Sequence, residues 1–281
     1  MTFSVRQLPK FSVMGILNVT PDSFSDAGRC ASVDSALRHG VKLAHDGAAI
    51  VDIGGESSRP GAVPVSKSVE LDRVVPVIER LIGEIGVPIS VDTTKAAVAD
   101  AALEAGASIV NDISGGRHDA QMLNTVVRHD AGLIAMHMQG IPATMQASPQ
   151  YRDVVPEVIA FLQDRVAAAR SAGVRRDAII ADPGIGFGKN FDHNLELLAH
   201  LERMVAAIDA PILIGASRKG FIGSILGGAP VEARDDATAA VSVLAFLRGV
   251  AIVRVHNVGA SVASARLLDA VSTAAQQGVL T

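Results

Sequence analysis

Asp92, Asn111, Asp182, Lys219, Arg254 and His256 lie at or shortly after the ends of short apolar runs: ISVD, IVND, IIAD, ILIGASRK and AIVRVH. Asn18 closes an earlier run, VMGILN, and Ser217 stands two residues before Lys219. Sorted by charge, these side chains suit two kinds of ligand. Arg254, His256, Lys219 and the amide of Asn18 are donors for phosphate oxygens, and an arginine can bind such oxygens bidentately. An anionic, phosphorylated group follows. Asp92, Asp182 and Asn111 can instead hold the edge of a nitrogen heterocycle whose amidine-like N–H groups pair with a carboxylate. Glu56, Asp112, His137 and Arg218 occupy equivalent strand ends. Each of the set alone reads equally well as a helix cap or a solvated rim, but together they would crowd charges of both signs into one mouth. His137 reads better as a satisfied histidine than as a catalytic group. Gly184, Gly186 and Gly188 would let backbone approach a flat ligand, although they lack the dinucleotide-binding spacing after a strand. No histidine pair has zincin spacing and no serine sits in a nucleophile elbow, which disfavours metal hydrolysis and Ser-His-Asp chemistry. A diphosphate would bring Mg²⁺, which needs few protein ligands beside phosphate and water.

The elements that must carry these residues repeat as strand then polar tip, over 13–26, 50–56, 89–94, 109–112, 134–137, 179–182, 212–219 and 251–256. Between them the apolar periodicity predicts helices over 33–46, 69–85, 95–104, 120–129, 154–172, 194–208, 236–247 and 261–275. Thr93 or Thr94 is the expected cap of the third. Strands joined by helices of this length require right-handed parallel crossovers. Eight such units imply an α/β fold, a single (β/α)8 TIM barrel with its active site at the C-terminal ends of the strands; an open doubly wound sheet is the structural alternative. The whole of 1–281 reads as one domain, with 1–10 as a short N-terminal extension. The loops 19–29 and 54–66 are long and polar enough to bind or to close over ligand.

Composition narrows the function classes. Apolar residues are 49% and charged residues 19%, with no Trp and one Tyr, so the core is built from Val, Ile, Leu and Ala. A net charge of -4 gives no field for nucleic acid or for an anionic membrane, so any anion must be held by a local cationic cluster. The single cysteine, Cys30, excludes an intramolecular disulfide and a multi-cysteine metal centre. With no apolar run of membrane length and no secretion signal, the expectation is a soluble, cytoplasmic protein.

Eight strings, in order along nearly the whole chain, resemble the dihydropteroate synthase family of folate biosynthesis. They are MGILNVTPDSFSD (14–26), DIGGESSRPGA (52–62), SVDTTK (90–95), VNDISGG (110–116), MHMQGIPATMQ (136–146), DPGIGFGKN (182–190), GASRKGFIG (215–223) and VRVHNV (253–258). The resemblance implies a transferase that condenses 6-hydroxymethyl-7,8-dihydropterin diphosphate with p-aminobenzoate, the substrate that sulfonamides mimic. It places Asp92, Asn111, Asp182 and Lys219 on the pterin edge, Ile113 and Met136 on apolar walls, and Arg254 over the ring. Arg254, His256, Asn18 and Ser58 would hold the diphosphate, with Asn18 on Mg²⁺. Phe187, Ser217, Ser58, Phe24 and Pro60 would border p-aminobenzoate, while Asp26 and Arg59 hold two loops closed. Asp92, Asp182, Lys219, Arg254 and His256 form the catalytic set.

The family is homodimeric, and the face of 236–247 bearing Ala237, Ala240, Val241 and Leu244 could pack on the barrel or on a partner. Two positions depart from the family pattern: Ala27 for Gly and Ser58 for Thr. The alternatives are a pterin-dependent methyltransferase of the same barrel class, which needs no diphosphate anchor, and a non-catalytic pterin-binding paralogue, which would have damaged loops or anion ligands.

Overall fold

Eight parallel strands form the inner layer of the computed structural model, which describes residues 2–20 and 33–276. Phe24, Asp26 and Ala27 lie outside the described residues. The strands are β1 (Ser12–Asn18), β2 (Ile50–Gly54), β3 (Ile89–Asp92), β4 (Ile109–Asp112), β5 (Gly132–Met136), β6 (Ile179–Asp182), β7 (Leu213–Ile214) and β8 (Ile252–Val255). Their order is β6-β5-β4-β3-β2-β1-β8-β7. Closure comes from a single bridge, Ala181 to Ile212, with the Ala181 amide donating to the carbonyl of Pro211. Pro211 has no N–H, so the ladder cannot lengthen on that side, and this is the thinnest seam of the barrel. All five residues of β2 are buried, as are those of β5, which is why neither strand alternates; β5 is apolar throughout, and β2 is apolar but for Asp52.

The outer layer is α1 (Val33–His45), α2 (Lys67–Leu81), α3 (Ala96–Glu104), α4 (Met122–Arg128), α5 (Val154–Ala172), α6 (Phe191–Ala199), α7 (Leu201–Ala207), α8 (Gly220–Ile225), α9 (Asp235–Leu247) and α10 (Val258–Gln276). Three details differ from the sequence expectation. The helix expected over 194–208 is two, broken at His200, and the first begins early because Asn190 and His193 form a reciprocal cap. The short α8 after Lys219, rich in glycine, was not anticipated. Neither threonine caps α3: Lys95 holds the cap position without a side-chain bond, and the Ala96 amide donates to Asp119 Oδ2. Thr93 Oγ1 serves one residue earlier, accepting from the Lys95 amide at 3.2 Å.

The N-terminal residues cross the end of the barrel away from the polar strand tips. Phe3 is 3% exposed, its ring fills the space that a side chain on Gly132 would need, and Arg175 reaches its carbonyl. Gly132 opens β5, so this contact closes the barrel floor. Phe3→Ala should therefore cost about 3 kcal/mol in urea denaturation followed by circular dichroism, while leaving ligand affinity at the opposite end unchanged.

Candidate active site

The strand register sets the site. Asn18 lies beside Gly54, Gly54 beside Asp92, and Asp92 beside Asn111, so the tips of β1 to β4 share one level. One layer deeper, Asp52 lies beside Ser90 and Ile16. Arg254 starts lower still, level with Met14 on β1, and its long side chain climbs through the barrel. Its Nε donates to Asp52 Oδ2 at 2.6 Å and its Nη2 to Asp92 Oδ2 at 2.8 Å. Asn111 Nδ2 donates to the same Asp52 oxygen at 3.0 Å. Asp52, fully buried, is thus the hub of the cluster, and its Oδ1 has no hydrogen-bond partner among the described residues.

Asp52 was not among the residues expected from sequence. Its signal was present, since an aspartate inside the apolar string IVDIG must be paired if that string is a buried strand. It was hidden because it lies two residues before the tip.

Across the mouth, Asp182 Oδ1 accepts the Gly184 amide at 2.7 Å. Lys219 donates to the Ile185 carbonyl and lies 4.5 Å from the centre of the Phe187 ring. Ile113, Met136, Met138 and Met145 with Phe187 make an apolar cluster separate from the main core. The loop between Asp182 and Lys189 lies flat on the chain that follows β5. A Cβ at Gly184 or Gly188 would run into the carbonyl oxygens of His137 and Gln139, and both glycines have positive φ, 67° and 60°.

Protonation follows from burial. Asp92 is pushed up to about 7, chiefly by desolvation, with Arg254 opposing and Asp52, Glu70 and Asp112 adding to the rise. Asp182 is raised for the same first reason, against the pull of Lys219. Lys219 is brought down to about 7 by burial, with Asp182 opposing. Arg254 keeps its charge, because Asp52 and Asp92 outweigh its burial. His256 falls to about 3 through burial and the charges of Arg218, Arg254 and Arg59. The His256 amide donates to Ser217 Oγ at 3.1 Å, and the same Oγ lies 2.9 Å from His256 Nδ1. His256 is therefore neutral, and with the Ser217 hydroxyl donating to Nδ1 the ring would carry its proton on Nε2, as a hydrogen-bond donor to an anion rather than a cation.

Other strand-end residues have structural work. Asp112 accepts from the Ser114 amide and hydroxyl, both at 2.7 Å, and from the Gly116 amide. Arg218, at φ 58°, forks onto both oxygens of Asp235 at 2.6 and 2.8 Å. Glu56 pairs with Lys95, which also holds the buried Glu70 at 2.6 Å and so pins the root of the 54–66 loop. Beyond that root Ser58 is half-buried while Arg59 and Pro60 are exposed, although the charge of Arg59 is felt at His256. The one cluster with metal-ligand spacing among the described residues, Asp100, Glu104 and His129, lies on α3 and just past α4. Asp100 there already pairs with Arg128 and His129.

The family model for pterin binding enzymes matches residues 14–256. The dihydropteroate synthases of Bacillus subtilis and Mycobacterium leprae are each 47% identical to this chain, over 93% of it and 88% of the first, and over 94% of it and 94% of the second. The chain belongs to the dihydropteroate synthase family. Solved structures agree. The Xanthomonas albilineans dihydropteroate synthase with 4-aminobenzoic acid is 44% identical and superposes with a TM-score of 0.88 over 95% of this chain and 94% of its own. The Yersinia pestis dihydropteroate synthase with a sulfonamide drug is 41% identical, with a TM-score of 0.89 over 97% of each.

Because Asp92 binds its proton more tightly folded than unfolded, its carboxyl favours the native state most below about pH 4, and that contribution is lost as pH rises through about 7. Asp92→Asn cannot lose a proton. Its thermal midpoint relative to wild type should therefore climb as pH is raised from about 5 to 8, as differential scanning calorimetry would show; a pH-independent difference would contradict the buried-carboxyl assignment.

Proposed function

We propose that the chain condenses 6-hydroxymethyl-7,8-dihydropterin diphosphate with p-aminobenzoate to give 7,8-dihydropteroate and diphosphate. The observation that carries this reading is the buried cluster in which Asp52 and Asp92 hold Arg254 at the centre of the mouth. It offers carboxylates to an N–H-rich heterocycle and a cation to an anionic leaving group. Relatives support the substrate class: one Xanthomonas albilineans structure, 40% identical with a TM-score of 0.84, contains 7,8-dihydropteroate. A methyltransferase would have no use for the anion donors, and the anion ligands that a non-catalytic paralogue would lack are in place.

Asp92, Asn111, Asp182 and Lys219 bind the pterin edge between the walls formed by Ile113 and Met136. Arg254 lies against the ring, and its Nη1, which has no partner among the described residues, points to diphosphate together with the Nε2 proton of His256. Asn18 and Ser58 complete the anion site. Asn18 suits Mg²⁺: its amide oxygen, a hard ligand at the mouth, carries no hydrogen bond among the described residues and lies 3.6 Å from where a Cβ on Gly54 would stand. Bound there, Mg²⁺ would neutralise charge on the departing diphosphate. In the reaction the exocyclic C–O bond breaks with its electron pair leaving on diphosphate. The positive charge left on the pterin methylene is stabilised by Asp92 and Asp182. The arylamine nitrogen then forms the new C–N bond and releases its proton to solvent. Phe187, Ser217, Ser58 and Pro60 border the arylamine, and Phe24, Asp26 and Arg59 belong to loops that close over it and exclude water.

We read the enzyme as a cytoplasmic homodimer. No helix among the described residues is long and apolar enough to cross a membrane. On α9, Thr238, Ser242, Ala245 and Phe246 face the barrel, while Ala240, Leu244 and Leu247 are exposed. The neighbouring α10 exposes Leu267 and Val271, which leaves apolar surface for a second copy.

Two measurements check these readings. Wild type should release one diphosphate per dihydropteroate formed, and Lys219→Ala should lower kcat/KM by at least about 100-fold, whereas no release with both substrates present would contradict the activity. Light scattering at micromolar concentration should give twice the chain mass of 29.0 kDa, and a monomer would remove the dimer.

A further inference from the structure

Lys189 is the largest side chain that the fold buries completely, at 2% exposure, and none of the ligand roles above uses it. Its Nζ donates to His137 Nδ1 at 2.9 Å and to the Phe187 carbonyl at 3.0 Å. His137 can accept because it is neutral: burial and the charges of Lys189 and Arg117 bring it down to about 2. Its ring is fixed edge-on against Phe161 at 4.7 Å. Around Lys189 stand His137 after β5, Asp182 at the end of β6, Lys219 after β7 and Asn194 on α6. Burial lowers Lys189 to about 7, with Asp182 opposing and Lys219 adding.

The carbonyl that Lys189 holds belongs to the same loop as the Ile185 carbonyl held by Lys219. Two ammonium groups thus grip carbonyls two residues apart, and between them the Phe187 ring lies under the Lys219 charge. Tyr151 and Asn194 hold the rest of the loop, at the Gly188 carbonyl (2.8 Å) and the Gly186 amide (2.6 Å). The pterin-facing groups on β2, β3, β4 and β8 hold one another and have no bond to Lys189.

We propose that Lys189 is a positioning residue for the second substrate: by tying the Phe187 carbonyl to His137 it fixes the Phe187 ring, and with it the arylamine side of the mouth. The proposal rests on the synthase reading above and deepens it. Lys189 touches no substrate. A buried lysine is a costly way to hold a loop, since a methionine of similar volume would fill the space without desolvating a charge. Its retention is explained by the two acceptors it joins.

The test is steady-state kinetics of Lys189→Met and Lys189→Gln, with calorimetric binding of the dihydropterin diphosphate as the control. Lys189→Met should raise the KM for p-aminobenzoate about tenfold, with kcat within about threefold and pterin diphosphate affinity within about twofold of wild type. Lys189→Gln retains an N–H for the Phe187 carbonyl and should recover part of that loss. If Lys189→Met does not fold, the same split in Lys189→Gln decides. An unchanged KM, or an equal loss in kcat and in pterin affinity, overturns the positioning role. A wild-type chain that forms no dihydropteroate overturns the synthase reading instead.

Discussion

A guanidinium in the middle of a barrel must be paired, and the rest of the site depends on how Arg254 is paired. Removing such a charge from water costs several kcal/mol, which attraction offsets only when geometry and hydrogen bonding are good. Asp52 and Asp92 supply both, at 2.6 and 2.8 Å, and Asn111 steadies Asp52 by donating to the same oxygen. The arrangement is stable but incomplete. Three carboxylates face Arg254 and Lys219, the pKa of Asp92 is raised to about 7, and Asp52 keeps one oxygen without a partner among the described residues. A ligand with N–H groups at one end and a diphosphate at the other supplies what each sign of charge lacks.

The barrel makes this possible through register. Neighbouring strands put Asn18, Gly54, Asp92 and Asn111 on one level and Asp52 one layer beneath, so that Arg254, rooted two strand positions lower, needs its full length to reach them. A shorter lysine could not fork between two carboxylates. On the opposite wall the glycine loop packs on the chain after β5, which brings Phe187 and the Ile185 carbonyl against Lys219.

The strand-tip pattern was enough to read the barrel and to single out Asp92, Asn111, Asp182, Lys219 and Arg254 as candidates, because a polar residue ending an apolar run is visible in one dimension. Asp52 was not, since its inward direction depends on strand pairing. The charge of His256 was also illegible: its pKa is set by burial among arginines, and the partner of its Nδ1, Ser217, is 39 residues away in sequence. Lys189, in a polar loop, looks like a solvated cation until the fold brings His137 over it. The break at His200 and the short α8 are local: one capping box moves a boundary, and a two-glycine segment carries too little periodicity to read. Phe24 and Asp26 lie outside the described residues, and their roles rest on family resemblance alone.

On this reading Asp52 and Arg254 act as one unit in holding the pterin diphosphate. A double-mutant cycle measures this directly, with Asp52→Asn, Arg254→Met and the double substitution titrated calorimetrically with the dihydropterin diphosphate. The two changes should be strongly non-additive, with a coupling of about 2 kcal/mol or more, because Arg254→Met strands the buried Asp52 and Asp52→Asn leaves Arg254 with Asp92 alone. Binding losses that simply add, within about 0.5 kcal/mol, would contradict it.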